Sequence, residues 1–240
     1  MQKSKSSGLI VFILLLFLAA CGPTRFVEPL EEGQQAIGVD FGGPMISVPG
    51  VATIPLPLTS VTYGKGVSEK LTAYGSWFPT AAVFGTIQLD AGATYLLFEN
   101  EKKIHGISTT PGINFAMDVF EWRPKVWPHL DVNYFWRYNK RDISQDDFLL
   151  GTRPTANILY AGIGSWFELS GTRAHGEPQE TRLLPMLNFG HDLNGRKWSF
   201  KSELKLIAPF TSNENIVVDY FSLTGHRGAT GLYFGIIRKF

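Results

Sequence analysis

Five histidines, a single cysteine and a scatter of aspartates are the residues here with chemistry to offer. His129 and Asp131 lie two apart, so on an extended strand they share a face, and a carboxylate so placed orients an imidazole as a general base. Chance supplies such pairs in any chain of many strands, and no catalytic role is assigned to either residue. His191 and Asp192 are adjacent and point to opposite faces of a regular strand. There is no His-Glu-x-x-His, no Gly-x-Ser-x-Gly, no P-loop and no dinucleotide fingerprint. Asn139, Asp142, Asp146 and Asp147 offer oxygen ligands, but their spacing is not that of an EF-hand and reads as a solvated acidic loop. No metal and no cofactor is expected. Cys21, being alone, excludes an intrachain disulfide and a cysteine metal cluster.

The cysteine has a different context. Lys3 and Lys5 form a positive n-region, and Leu9–Leu18 is an unbroken apolar run, too short to span a bilayer and right for a signal-peptide core. The run ends in Leu18-Ala19-Ala20-Cys21, which resembles the lipobox of bacterial lipoproteins. That resemblance implies cleavage before Cys21 and acylation of its thiol and new α-amine. Several acyl chains at ~0.8 kcal/mol per buried CH₂ hold a chain end in a membrane stably. Gly22 stands where an aspartate retains many lipoproteins in the inner membrane, so the resemblance implies the outer membrane, anchored on the periplasmic side. The expected partners are outer-membrane lipid and the lipoprotein-processing and barrel-assembly machinery. Three regions result: a signal peptide over 1–20, an acylated tether over 21–35 and a body over 36–240. The tether is polar, with two prolines after Cys21 and no period.

Without Lys3 and Lys5 the chain carries 20 basic against 21 acidic residues, which excludes the basic excess of a nucleic-acid binder. With 18 Phe, 8 Tyr, 6 Trp and 25 Gly among 240 residues, the composition favours β structure. The body alternates apolar and polar residues in units of about ten residues. Leu130, Val132, Tyr134, Trp136 and Tyr138 fall on one face, and Asp131, Asn133, Phe135 and Arg137 on the other. Trp198, Phe200, Leu204 and Leu206 similarly oppose Lys197, Lys201, Glu203 and Lys205. Strands are expected at 36–48, 56–64, 67–78, 83–91, 113–120, 130–138, 155–168, 183–193, 197–208 and 228–240, with a short helical turn over Tyr95–Lys102. The predicted fold is all-β, an antiparallel up-and-down membrane β-barrel of about ten strands (8–12).

With the first strand entering from the periplasm, tight turns at Gly64–Gly66 and Leu193–Gly195 fall inside, and loops 169–181 and 209–227 fall outside. The connections 92–111 and 139–154 are long yet land in the periplasm, contrary to the usual pattern. The chain ends Leu232-Tyr233-Phe234-Gly235-Ile236-Ile237-Arg238-Lys239-Phe240, which resembles the terminal strand of outer-membrane barrels, except that Arg238 stands where an apolar residue is usual. In a barrel, Lys70, Asp90, Asp118, Asp131, Arg137, Lys201, Glu203 and Lys205 face the lumen. A lumen this narrow is filled by side chains, and opposite charges in it pair. The function expected is a structural or narrow-channel role. Two alternatives remain: a lipid-anchored lipocalin-like ligand carrier, since Gly75-Ser76-Trp77 resembles the lipocalin Gly-x-Trp, and a lipid-modifying barrel enzyme. The first requires an apolar interior, the second a hydroxyl beside His129.

Overall fold

The computed structural model describes residues 25–48, 50, 52–122, 124–141, 155–171, 181–213 and 220–240. The alternating segments become strands: β1 (Gln35–Val48), β2 (Ala52–Pro55), β3 (Thr59–Ser68), β4 (Leu71–Trp77), β5 (Thr86–Glu99) and β6 (His105–Asp118). They continue as β7 (Pro124–Arg141), β8 (Thr155–Phe167), β9 (Leu183–Asn194), β10 (Trp198–Ser212) and β11 (Arg227–Lys239). Among the described residues one helix interrupts them, α1 (Pro79–Val83), with proline at its start. Each strand pairs antiparallel with its neighbour, and β11 returns to β1. β2 pairs only with the far end of β1, so ten strands form the wall of a closed barrel.

The seam runs from Ala36↔Lys239 to Pro44↔Gly231. Phe240 completes it: Gln35 and Phe240 exchange both backbone N–H···O bonds at 2.9 Å. Closure leaves no sheet edge, the condition for strands to lie in hydrocarbon without unsatisfied amides.

The wall is inside-out relative to a soluble protein. Side chains at Leu130, Tyr134 and Trp136 are 43%, 50% and 44% exposed, while Phe135 between them is fully buried. Val39, Phe41, Tyr63, Trp77, Leu97, Ile163, Phe189, Phe200 and Phe234 extend this apolar exterior around the ring. Gln88, Asn114, Asn133, Asn188 and Thr110 are buried within. A polar interior is the reverse of a lipocalin's, so the ligand-carrier alternative fails: Trp77 of Gly75-Ser76-Trp77 and Trp136 both face outward. Arg238 also faces outward near the strand end. Its guanidinium lies 5.2 Å over the Trp198 ring, as a long cationic side chain at a membrane boundary does.

Several boundaries move. The apparent 92–111 connection is mostly strand, since β5 runs to Glu99 and β6 starts at His105, leaving the turn 100–104. Tyr95–Glu99 is therefore extended rather than helical, because its pairing with β6 outweighs local preference. Gly64–Gly66 lie within β3, and the turn is Glu69-Lys70. β10 runs on to Ser212. The acidic loop beyond Arg141, with Asp142, Asp146 and Asp147, and the stretch 172–180 lie outside the described residues. The barrel thus has a turn mouth, where β1 begins and β11 ends, and a loop mouth, where β6, β8 and β10 end and which carries β2 and α1.

The exterior predicts a depth-dependent cost for charge. Leu130→Arg, opposite Pro111 in the middle of β6, should destabilise by ~2–4 kcal/mol, and Trp136→Arg, opposite His105 at the start of β6, by less. Urea unfolding of the two variants in lipid vesicles measures the difference. Equal and negligible costs would place neither side chain against lipid.

Candidate functional site

The lumen is the site, and part of the chain outside the wall fills it. Residues 25–34, expected as a tether, run back from the start of β1 into the barrel, where Arg25, Phe26, Val27 and Leu30 are buried. The wall is shaped to receive them. A Cβ on Gly64 would lie 2.5 Å from the Phe26 ring, and one on Gly66 would overlap the Glu31 carbonyl. Bare glycine faces therefore make the groove.

Polar wall groups then satisfy the segment's backbone. Thr72 Oγ1 accepts from the Leu30 N–H at 2.7 Å, Thr94 Oγ1 donates to the Phe26 carbonyl at 3.0 Å, and Ser108 Oγ donates to the Val27 carbonyl at 2.6 Å. The Arg25 carbonyl accepts from Lys201 Nζ. Its guanidinium reaches Asp40 at 3.3 Å and Ser60 at 2.8 Å, and lies 5.2 Å over the Phe78 ring. Glu28 and Glu99 take opposite sides of Arg137, at 2.7 and 2.6 Å. A buried cation is tolerable only with such partners.

Elsewhere in the lumen the polar groups of the wall bond to one another. Tyr160 Oη donates to Glu203 at 2.8 Å, and Lys205 approaches the other oxygen of Glu203 at 3.5 Å. Asn188 donates to Asn133 at 2.6 Å, and Gln88 donates to Asn114, which donates to Asp90. Toward the loop mouth Trp127 Nε1 donates to Glu168 at 2.7 Å, beside a cluster of Ala116, Trp166 and Met186.

His129 stands between two carboxylates. Nε2 lies 3.2 Å from Asp90, Nδ1 lies 3.8 Å from Asp131, and the ring stacks on Trp166 at 5.2 Å. A Cβ on Gly112 would meet both His129 and the Tyr74 hydroxyl. Among the described residues no serine or threonine hydroxyl bonds to His129; the hydroxyl facing the ring across Gly112 is that of Tyr74, and the imidazole lies between the two carboxylates.

Of the candidates read from sequence, Asp90, Asp131, Arg137, Lys201, Glu203 and Lys205 are buried in the lumen. Lys70 is exposed in the β3–β4 turn, because β4 begins only at Leu71. Asp118 ends β6 at the rim, where its carboxylate accepts from the N–H groups of Phe120 and Glu121 and caps the turn. Cys21 lies outside the described residues. Arg25, Glu28, Asp40, Glu99, Tyr160, Glu168 and Asp192 are lumenal groups missed from the sequence. The one signal for the inner segment was apolar Phe26, Val27 and Leu30 within a polar stretch.

A closed ring, an apolar exterior and an internally paired polar lumen define a transmembrane β-barrel with an occupied interior. No family model matches the chain, and no curated protein matches it. Among solved structures it is similar to a bacterial polysaccharide outer membrane secretin, at 10% identity and TM-score 0.41, covering 88% of this chain and 67% of that one. It is similar also to an outer membrane channel from Pseudomonas putida F1, at 13% identity and TM-score 0.38, covering 92% and 100%. A third is the translocator domain of the autotransporter NalP from Neisseria meningitidis, at 11% identity and TM-score 0.37, covering 98% and 95%.

The fit between segment and wall is testable by coupling. Gly64→Ala should cost ~1–3 kcal/mol by overpacking against Phe26. In a Phe26→Ala background the same change should cost much less. Denaturant unfolding of the four proteins gives the interaction energy. An unchanged cost would mean that Phe26 does not face Gly64.

Proposed function

We propose that this chain is a lipid-anchored β-barrel of the bacterial outer membrane, closed by its own N-terminal segment, with a structural or narrow-conduit role. The observation that carries the reading is the occupied lumen: Arg25, Glu28 and the backbone of residues 25–30 bond to β1, β3, β4, β5, β6, β7 and β10 around the ring. An open diffusion pore keeps its charges hydrated along a channel, whereas here cations and carboxylates meet one another. The antiparallel ring with an unbroken apolar exterior fits the outer membrane, where strands rather than helices span. The lipobox-like Leu18–Cys21 supports acylation, and with it the lipoprotein-processing and barrel-assembly machinery as partners. A lipid-modifying enzyme is less well supported, because both His129 nitrogens face carboxylates.

Two measurements test this. Metabolic labelling with a fatty-acid probe should tag the wild type and spare Cys21→Ser; equal labelling removes the anchor. The purified full-length barrel in a planar bilayer should carry no steady current of open-pore size. A stable large conductance would exclude the closed-lumen reading.

A further inference from the structure

A row of polar aromatic side chains lies on the exterior toward the turn mouth. His105 opens β6, and its ring stacks on Tyr134 at 5.9 Å and on Trp136 at 6.5 Å. Trp136 leans on Tyr138 at 5.9 Å, and Tyr138 stacks at 5.8 Å on His191, near the end of β9. Register holds the row together: His105 is opposite Trp136, Trp136 opposite Leu159, and Leu159 opposite His191. Alternation points it outward, since Tyr134 and Trp136 are exposed while Phe135 and Arg137 are buried.

Each histidine is braced by a tyrosine. Tyr134 Oη meets His105 Nδ1 at 2.7 Å, and Tyr138 Oη meets His191 Nε2. A phenol hydroxyl is the stronger donor and a neutral imidazole nitrogen the stronger acceptor, so both tyrosines are assigned as donors. That puts the ring proton on Nε2 of His105 and on Nδ1 of His191. Neither of these N–H groups has a hydrogen-bond partner among the described residues. They stand where an apolar wall meets the headgroup layer, and an N–H there needs an acceptor.

Charge says which acceptor fits. Arg238, opposite Trp198, faces outward at this same end, and Lys65 is exposed opposite Gln35, which opens β1. Among the described residues no carboxylate stands on the outward face of β6, β7, β9 or β11 at this edge. At the loop mouth the outward residues of the row's strands are apolar instead, as at Met117 on β6, Phe167 on β8 and Leu183 on β9. In a bilayer the group that suits such donors and cations is phosphate.

We propose that the turn-mouth edge of β6–β9 binds phospholipid phosphate, with His105 and His191 as N–H donors and Tyr134 and Tyr138 as positioning residues. The histidines are about 14 Å apart, three strand spacings of ~4.8 Å, which is more than one phosphate covers. Each therefore serves its own headgroup. The proposal rests on the reading of the exterior as lipid-facing.

The test uses the purified full-length barrel in detergent micelles. It is offered phosphatidylglycerol or diacylglycerol with the same acyl chains, and native mass spectrometry counts the lipid retained. Wild type should retain phosphatidylglycerol several-fold over diacylglycerol. His105→Phe combined with His191→Phe keeps the aromatic row and should lose most of that preference. No preference in wild type, or an unchanged one in the double variant, overturns the proposal. Should the double variant not fold, either single variant decides in the same way, with a partial loss expected. Nitrogen-15 NMR of the imidazoles reads the brace: His105 should be the Nε2–H tautomer in wild type and a mixture in Tyr134→Phe. An Nδ1–H tautomer in wild type overturns the donor assignment. Quenching by brominated lipid in vesicles, wild type against Trp136→Phe, separates the two readings. Absence of Trp136 quenching strikes the lipid-facing exterior itself, whereas quenching with no phosphate preference strikes the headgroup site alone.

Discussion

In hydrocarbon a backbone N–H has no water to fall back on, and each one left unpaired costs several kcal/mol. The pairing of β1 with β11 is therefore the contact on which everything else depends. It joins the first wall strand to the last, and the final residue, Phe240, contributes its backbone to it. Without that seam the sheet would present two bare edges to lipid. With it, the alternation of side chains acquires an inside and an outside, and all the polar chemistry is confined to the inside.

Confinement creates its own demand. A ten-stranded ring carrying Asp40, Asp90, Asp131, Asp192, Glu203, Arg137, Lys201 and Lys205 inward holds more charge than a dry interior tolerates unpaired. The wall answers part of this by itself, as at Glu203 with Tyr160 and Lys205. The rest is answered by the segment: Arg25 offsets Asp40, and Glu28 joins Glu99 in offsetting Arg137. The segment also brings Phe26, Val27 and Leu30 into apolar contact with Tyr74, Leu96, Phe135 and Ile158, an oily filling inside a polar ring. The wall and its filling form a single electrostatic unit.

The wall was largely legible, because lipid outside and polar lumen inside impose a strict period of two on every strand. Leu130–Tyr138 shows it most cleanly, and Phe135, an aromatic on the polar face, was placed inward by parity alone. Strand ends were less legible. Tyr95–Glu99 carries apolar residues on consecutive positions, and pairing with β6, helped by β4 at Tyr95, fixes it as strand. Asp118 and Lys70 sat in register with lumenal faces, but turns begin where pairing stops, and pairing is a property of two strands. The inner segment was illegible for a deeper reason. Its partners lie 15 to 176 residues away in sequence, and the groove that takes it is marked by glycines that also serve sheet packing.

Gln35 bonds to Phe240 in the seam and follows directly on the segment, so the two share one stretch of backbone. A ring already sealed would have to take the segment in end-first, drawing Arg25 and Glu28 past the apolar surfaces of Tyr74 and Phe135. Zipping β1 to β11 last, around a segment already laid against β3, β4 and β5, avoids that passage. The finished barrel then behaves as a clasp: residues 25–34 cannot leave sideways while the seam holds, and a pull along the chain must break the Arg25 and Glu28 pairs together. Resistance to extraction thus resides in a loop of chain closed by hydrogen bonds alone, in a molecule whose only cysteine lies outside it.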